Sequence, residues 1–295
     1  MTNEELKNIS PAQQKRLSHI DFRVNFLGSI ARHDLISRFG IKEAAATRDI
    51  TEYRRLAPEN LDYDQTRKIY TRSDKFKALF EYSANQVLTA LSEGFGEDYI
   101  GNQKAMIPCE TPSQLNTPSL EVLSVISRAI YQNKAVHITY RSVGSGKGTR
   151  EIVPFALVDN GKRWHVRAYD RKRSIFMDCV LTRISDPTLI DTPINEFETR
   201  ESDIQWNRIV ELEIIAHPRL EHPETIEFDY AMENKVLNIN VRAAIAGYLL
   251  RRWNVDCSDD HSEDGREMYL WLRNNAALYG VSNAILAPGY EIENK

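Results

Sequence analysis

Gly161-Lys162-Arg163-Trp164-His165-Val166-Arg167-Ala168-Tyr169-Asp170 follows the turn residue Asn160 and carries two messages in one strand. Side chains along a β-strand alternate between faces, so Trp164, Val166 and Ala168 are expected on one side and Arg163, His165, Arg167 and Tyr169 on the other. The first face reads as core. The second is a row of cationic and hydrogen-bonding groups of the kind that receives an anion or a nucleobase, although a solvated strand face could carry the same residues. Upstream, Ala135 to Ser142 (Ala-Val-His-Ile-Thr-Tyr-Arg-Ser) also alternates, and downstream Ile175 to Ile184 is apolar and ends Leu-Thr-Arg-Ile. Together these stretches predict a small, strongly bent antiparallel barrel.

A short helix, a strand ending Tyr140-Arg141-Ser142, a strand opening Trp164-His165-Val166 and a strand ending Leu181-Thr182-Arg183-Ile184 resemble a WYL domain. Two of the three letters of the Trp-Tyr-Leu signature differ here. The continuation Arg167-Ala168-Tyr169 is similar to the BrxR/CapW branch of WYL regulators, repressors that guard bacterial phage-defence operons, and the resemblance extends over nearly the whole chain. It implies a central Sm/SH3-like barrel whose ligand residues are Tyr140, Ser142, His165, Arg167 and Arg183. Tyr140 would offer a stacking face and a hydroxyl, Ser142 a small donor or acceptor, and His165 a stacking plane; Arg167 and Arg183 would offer forks for phosphate. Such a set suits a nucleotide or oligonucleotide. The alternative is structural, with Tyr140 and His165 in the core and the arginines paired to Asp178 or Asp186.

The 295 residues are ample for two or three domains. Apolar residues make up 42% and charged residues 27%, ordinary globular usage without a disorder signature. No apolar run approaches membrane-spanning length and no signal-peptide pattern opens the chain, so a cytoplasmic protein is expected. Cys109, Cys179 and Cys257 are far apart and form no Cys-x-x-Cys pair, which disfavours a disulfide framework or zinc. Net charge is −4, but residues 1–75 hold 14 Lys and Arg against 11 Asp and Glu, a local +3 that leaves −7 for the remainder. A basic end on an acidic body points to an amino-terminal nucleic-acid module.

That end reads as three helices, from about Pro11 to Leu27, Arg32 to Phe39 and Lys42 to Leu56, punctuated by Gly28, Gly40 and Pro58. Helix, short turn containing Gly, helix is the helix-turn-helix outline. In the third helix Ala45, Ala46, Ile50, Tyr53 and Leu56 form an inward stripe, while Lys42, Thr47, Arg48, Thr51 and Arg54 face outward, where Thr47 and Arg48 could reach base edges in a major groove. Thr47-Arg48-Asp49-Ile50 resembles the Arg-Asp-Leu segment of recognition helices in many bacterial winged-helix regulators. Leu61 to Thr71 reads as two short strands around a polar turn, a wing with Arg67 and Lys68 at its tip for phosphates. A purely structural three-helix domain with a basic face would not explain why positive charge concentrates here.

A bracing helix is expected from about Asp74 to Gly94, followed by a linker to Thr117 and a helix opened by Thr117-Pro118 and ending near Tyr131. Gly144-Ser-Gly-Lys-Gly-Thr149 imitates a phosphate loop, but Arg141 stands at the first Gly position of a Walker A motif and Gly148 at the hydroxyl position, so it reads as a turn between strands. After the proline-bracketed stretch from Pro187 to Pro193, a strand at Ile209 to Ala216, a helix at about Asn240 to Trp253 and a strand at Met268 to Leu272 suggest a βαβ-like arrangement resembling the family's dimerisation extension.

The fold class expected is therefore α+β and multidomain. A winged helix-turn-helix occupies 1–95, a linker 96–117, the WYL domain 118–190 and a carboxy-terminal α/β dimerisation domain 205–295. No base-and-nucleophile pair or metal cluster is visible, so the chain reads as a regulator without catalytic residues or cofactor rather than an enzyme. The expected partners are a double-stranded operator with inverted-repeat half-sites, a second copy of the chain and a nucleotide or oligonucleotide effector, with no membrane. An RNA- or single-strand-binding adaptor built on the barrel is the alternative.

Overall fold

The computed structural model describes residues 9–93, 115–263, 265 and 267–291. The chain divides into two compact units, one of Met1–Ala156, Asp170–Arg173 and Cys179–Pro193, the other of Leu157–Tyr169, Ser174–Asp178 and Ile194–Lys295.

The first unit opens with helix α1 (Pro11–Phe26), where Pro11 takes the first-turn position and Ser10 caps by accepting the Gln13 amide. Gly28, at φ +86°, turns the chain out of the helix into strand β1 (Ser29–Ile30). Helices α2 (Arg32–Phe39) and α3 (Glu43–Leu56) follow, and Gly40 in the left-handed conformation ends α2. Strands β2 (Leu61–Asp64) and β3 (Ile69–Arg72) form the hairpin expected of a wing, and β1 pairs with β3 to complete a sheet in the order β1-β3-β2. Leu17, Ile20 and Val24 of α1 meet Leu35 of α2 and Ala46, Ile50, Tyr53 and Leu56 of α3 in one core. These are residues spaced by three and four, which places them on one face of each helix.

Two expectations for the next segment are corrected. The bracing helix is α4 (Ala84–Glu93), ten residues rather than the twenty-one from Asp74. Much of the linker, and Cys109 with it, lies outside the described residues. Helix α5 (Leu120–Gln132) starts later than predicted because Ser119, not Thr117, accepts the capping amide, that of Val122.

Strands β4 (Ala135–Ser142), β5 (Gly146–Asp159), β6 (Trp164–Asp170), β7 (Ile175–Val180) and β8 (Ile184–Ile190) are hydrogen-bonded in the order β7-β6-β5-β4-β8. No ladder among the described residues joins β7 to β8, so the closed Sm/SH3-like barrel is not formed. A 3-10 turn at Leu181–Arg183 interrupts the extended run predicted from Ile175 to Ile184. The expected two-faced character of Gly161–Asp170 is also corrected, because every residue from His165 to Asp170 is buried and Trp164 is only half-buried. The hairpin turn between β4 and β5 is confined to 143–145, so the expected turn from Gly144 to Thr149 is shorter than predicted and Gly146 to Thr149 already pair as strand, with Ser142 opposite Gly146 and Arg141 opposite Lys147.

The second unit carries helix α6 (Ile204–Asn207), strand β9 (Ile209–Ala216), helix α7 (Pro223–Asp229), strand β10 (Leu237–Arg242), helix α8 (Ala243–Arg252) and strands β11 (Val255–Asp256) and β12 (Leu270–Leu272). Their sheet runs β10-β9-β12-β11, with β10 and β12 antiparallel to β9 and β11 parallel to β12. The helix predicted from Asn240 begins at Ala243, because Leu237-Asn-Ile-Asn-Val-Arg242 alternates and adds a strand beside β9. Val210, Leu212, Ile214, Ala246, Leu250 and Leu272 lie at the centre of this unit's core. No helix among the described residues is long and apolar enough to cross a membrane.

Candidate nucleic-acid interface and sensor residues

Helix α3 presents two chemically different faces. Lys42, its N-cap residue, and Thr47, Arg48, Thr51 and Arg54 are all exposed. Thr51 donates its hydroxyl to the Thr47 carbonyl at 2.8 Å. Lys42, Arg48 and Arg54 form no ion pair among the described residues, whereas neighbouring Arg55 is held by Glu52 at 2.9 Å. Uncommitted cations on the exposed side of a helix whose first amides have no side-chain cap are the chemistry that meets a phosphate backbone and base edges.

The opposite face is tethered. Asp49, almost fully buried, accepts from Arg16 Nε at 2.6 Å and Nη2 at 3.3 Å and from Gln13 at 3.1 Å, which ties α3 to α1. One turn on, the Tyr53 hydroxyl donates to Asp21 at 2.5 Å and accepts from Asn60 at 2.9 Å. Asp21 also receives the Leu79 amide at 2.9 Å, the Phe80 amide at 3.4 Å and the Tyr82 hydroxyl at 2.9 Å. Burial pushes the Asp21 carboxyl above its usual range and these donors act against the rise, while burial followed by the Asp21 charge pushes the Tyr53 phenol up. A carboxylate with four donors satisfies the accounting for a buried charge and fixes α3 against α1.

In the wing, the Asp64 carboxylate accepts the Thr66 and Arg67 amides, each at 2.9 Å, and Lys68 takes φ +55°, so the turn is locally built. Arg67 and Lys68 are exposed at its tip. The winged-helix residues named from the sequence therefore all reach the surface of the first unit.

The predicted effector residues fall into two groups. In the first unit, Tyr140 and Ser142 share a face of β4, and the pairing places Tyr140 opposite Ile184, next to Arg183. Tyr140 is buried, accepts the Val180 amide at 3.2 Å and lies under the Arg150 guanidinium at 5.0 Å. Arg150 in turn is paired with buried Asp170. Ser142 accepts the Ser145 amide at 3.4 Å, and half-buried Arg183 forms no ion pair among the described residues.

In the second unit, Arg167 is 4% exposed and clamped by two carboxylates, with Asp203 at 2.8 and 3.2 Å and Asp178 at 3.2 Å. Burial opposes its charge, but Asp203 and Asp178 outweigh that and hold the guanidinium above its ordinary range. Asp203 also caps α6 through the Gln205 and Trp206 amides, and the Tyr248 hydroxyl of α8 donates to Asp178 at 3.0 Å. His165 stacks on Tyr248 with ring centroids 5.4 Å apart, and burial lowers its imidazole. The structure thus contains the Arg167–Asp178 pair that the structural alternative named, and adds Asp203 to it.

Sequence reasoning missed Asp49, Asp21 and Arg16 as positioning residues, and Arg150, Asp203 and Tyr248 as partners of the sheet. Asp49 did leave a signal, since it interrupts the inward stripe of Ala46, Ile50, Tyr53 and Leu56, and a carboxylate on an apolar face needs an internal donor. Among the described residues no cluster of His, Cys, Asp and Glu could hold a metal ion.

Comparison with known proteins gives three family matches. Residues 12–93 match the BrxR transcriptional regulator winged helix-turn-helix domain, 121–189 the WYL domain, and 209–278 the BrxR transcriptional regulator C-terminal dimerization domain. The DNA-binding transcriptional repressor CapW of Escherichia coli is 32% identical over 91% of this chain and 91% of its own length. CapW of Pseudomonas aeruginosa is 32% identical over 89% of each, and that of Stenotrophomonas maltophilia is 27% identical over 89% of this chain and 93% of its own. Among solved structures, proteasome accessory factor B/C of Arthrobacter aurescens covers 80% of this chain and 44% of its own at 15% identity, with a TM-score of 0.27 too low to carry weight.

Proposed function

This chain belongs to the CapW family of DNA-binding transcriptional repressors, built of BrxR-type winged-helix, WYL and C-terminal dimerization domains, and we propose that it is an effector-responsive autorepressor of a phage-defence operon. As a homodimer it would meet inverted-repeat half-sites with one α3 in each major groove, since helix-turn-helix dimers read half-sites about one helical turn, or a multiple of it, apart. Thr47 and Arg48 would read base edges, Thr51 and Arg54 would lie along the groove, and Lys42, Arg67 and Lys68 would hold phosphates. The observation that carries this reading is the division of α3 into one face tethered by Asp49 and Tyr53 and another of exposed, uncommitted cations.

The effector would be a nucleotide or oligonucleotide received by Tyr140, Ser142, His165, Arg167 and Arg183. Arg183 is the uncommitted cation of the set, and Arg167 would answer the ligand by exchanging one of its carboxylates for phosphate. Because Asp203 caps α6 and Asp178 holds Tyr248 of α8, that exchange would loosen contacts within the dimerisation unit and shift the population between operator-competent and operator-poor states. Operator binding and induction are to be measured for Arg183→Ala and His165→Ala. The reading predicts intact operator affinity with lost or shifted induction; unchanged induction in both variants would remove the sensor role.

A further inference from the structure

A cleft of about 570 Å³ in the first unit is lined by Asn25 of α1, Arg72 at the end of β3, Phe80, Tyr82, and Ser124 and Arg128 of α5. It contains none of the predicted effector residues. Its distinctive feature is two arginines that form no ion pair among the described residues, Arg72 feeling a carboxylate only through the nearby charge of Asp74. Arg128 is 9% exposed and, among the described residues, donates to neutral oxygens, the Asn25 carbonyl at 2.8 Å and the Ser124 hydroxyl. Arg72 is half-buried, rests over the Phe76 ring at 4.9 Å and donates to the Ser73 carbonyl at 3.3 Å, while its buried Nε has no hydrogen-bond partner among the described residues. Burial and then the nearby Arg72 charge depress Arg128 to about 10, and burial, opposed by the Asp74 charge, lowers Arg72. Two desolvated guanidiniums facing one space, with an unspent donor, form an arrangement that an oxyanion would complete.

The rim also carries Glu81 and Glu121, both exposed and neither paired to the two arginines. These carboxylates would weaken, without abolishing, the hold of the two arginines on a bare polyanion. A ligand with a phosphate at one end and hydroxyl or amino donors at the other would meet the arginines below and the carboxylates above, with Phe80 and Tyr82 as apolar wall.

We propose that this cleft is a second effector site, distinct from the β4–β8 sheet, that takes a small phosphorylated ligand whose phosphate is shared by Arg72 and Arg128. Its position gives it a route to the reader. On α5, Ser127 donates to the Phe26 carbonyl at 2.6 Å and Gln132 to the Leu27 carbonyl at 3.2 Å, so together with Arg128 this helix satisfies the last carbonyls of α1. Helix α1 holds α3 through Arg16 and Asp21. A ligand bridging Arg72 and Arg128 would therefore bind the wing to the helix that caps α1.

The test is isothermal titration calorimetry of the full chain with inorganic pyrophosphate at fixed ionic strength. Saturable binding at one site per chain is expected, weakened about tenfold or more by Arg72→Gln, because a charged hydrogen bond is lost, and unchanged by Arg183→Ala. Glu81→Gln should tighten binding, a gain that no folding defect imitates. Absence of saturable binding, or binding indifferent to both Arg72→Gln and Glu81→Gln, would overturn the proposal. Loss of binding in Arg183→Ala alone would overturn it too, by assigning the phosphate to the sheet site.

Discussion

Replacing Asp49 by alanine should separate the two faces of α3. Three hydrogen bonds end on this carboxylate, two of them from Arg16, whose side chain is 19% exposed against 3% for Asp49. Breaking a fully buried ion pair costs roughly 3–5 kcal/mol, and Arg16 can recover part of that by reaching water, so a loss of about 2–3 kcal/mol is expected. A domain of ordinary stability, about 5–15 kcal/mol, stays folded at 25 °C after such a loss. Urea denaturation at pH 7 should then show a lower midpoint with an unchanged slope. Operator binding by the folded variant should weaken by about tenfold, or about 1.4 kcal/mol, because α3 has lost its register on α1 while every DNA-facing side chain remains. A stability change within about 0.5 kcal/mol, the size seen at ordinary surface positions, would show that the Arg16–Asp49 pair is not a tether.

Arg48→Ala should do the opposite, leaving the denaturation midpoint in place while costing about 1–3 kcal/mol on the operator and little on scrambled duplex, as read by competition binding. Lys68→Ala at the wing tip should weaken all duplexes alike and lower the slope of log affinity against log salt by about one, provided it holds one phosphate. His19 of α1, packed edge-on against Phe39 at 5.5 Å, is pushed down to about 3 by burial and then by Arg38 and Arg23. The unfolded chain takes up that proton near its ordinary value of 6.5 and the native state does not, so stability falls as pH drops below 6.5, by about 1.4 kcal/mol at pH 5.5. His19→Gln should abolish that increment in denaturation midpoints compared between pH 7 and 5.5. Gly28→Ala should destabilise the first unit, because φ is +86° there and an added Cβ would meet Gln132 Nε2, the group that caps Leu27.

Much of the reader was legible because its three helices are amphipathic and punctuated. Leu17, Ile20 and Val24, and then Ala46, Ile50, Tyr53 and Leu56, fall at helical spacing and are buried as a set. The same rule misled at Phe76, Leu79 and Phe80, which are spaced like a helix but lie in an irregular segment. Its amides at Lys77, Leu79 and Phe80 are bound by Asn60 and Asp21, partners from distant sequence that compete with helix formation. In β6 the alternation was visible but its meaning was not, because burial of both faces depends on neighbours that the strand itself does not name. Likewise Arg167 looked like an open fork, and the carboxylate that occupies it, Asp203, stands 36 residues away.

Whether this chain acts as a dimeric reader of duplex DNA is decided by fluorescence anisotropy of the purified protein on the duplex immediately upstream of its own reading frame, against a scrambled duplex, at two salt concentrations. A dimeric reader should prefer the upstream duplex by roughly a thousandfold or more, with two chains per site. Equal and steeply salt-dependent binding to both duplexes, or stronger binding to single strands than to either, would contradict that role.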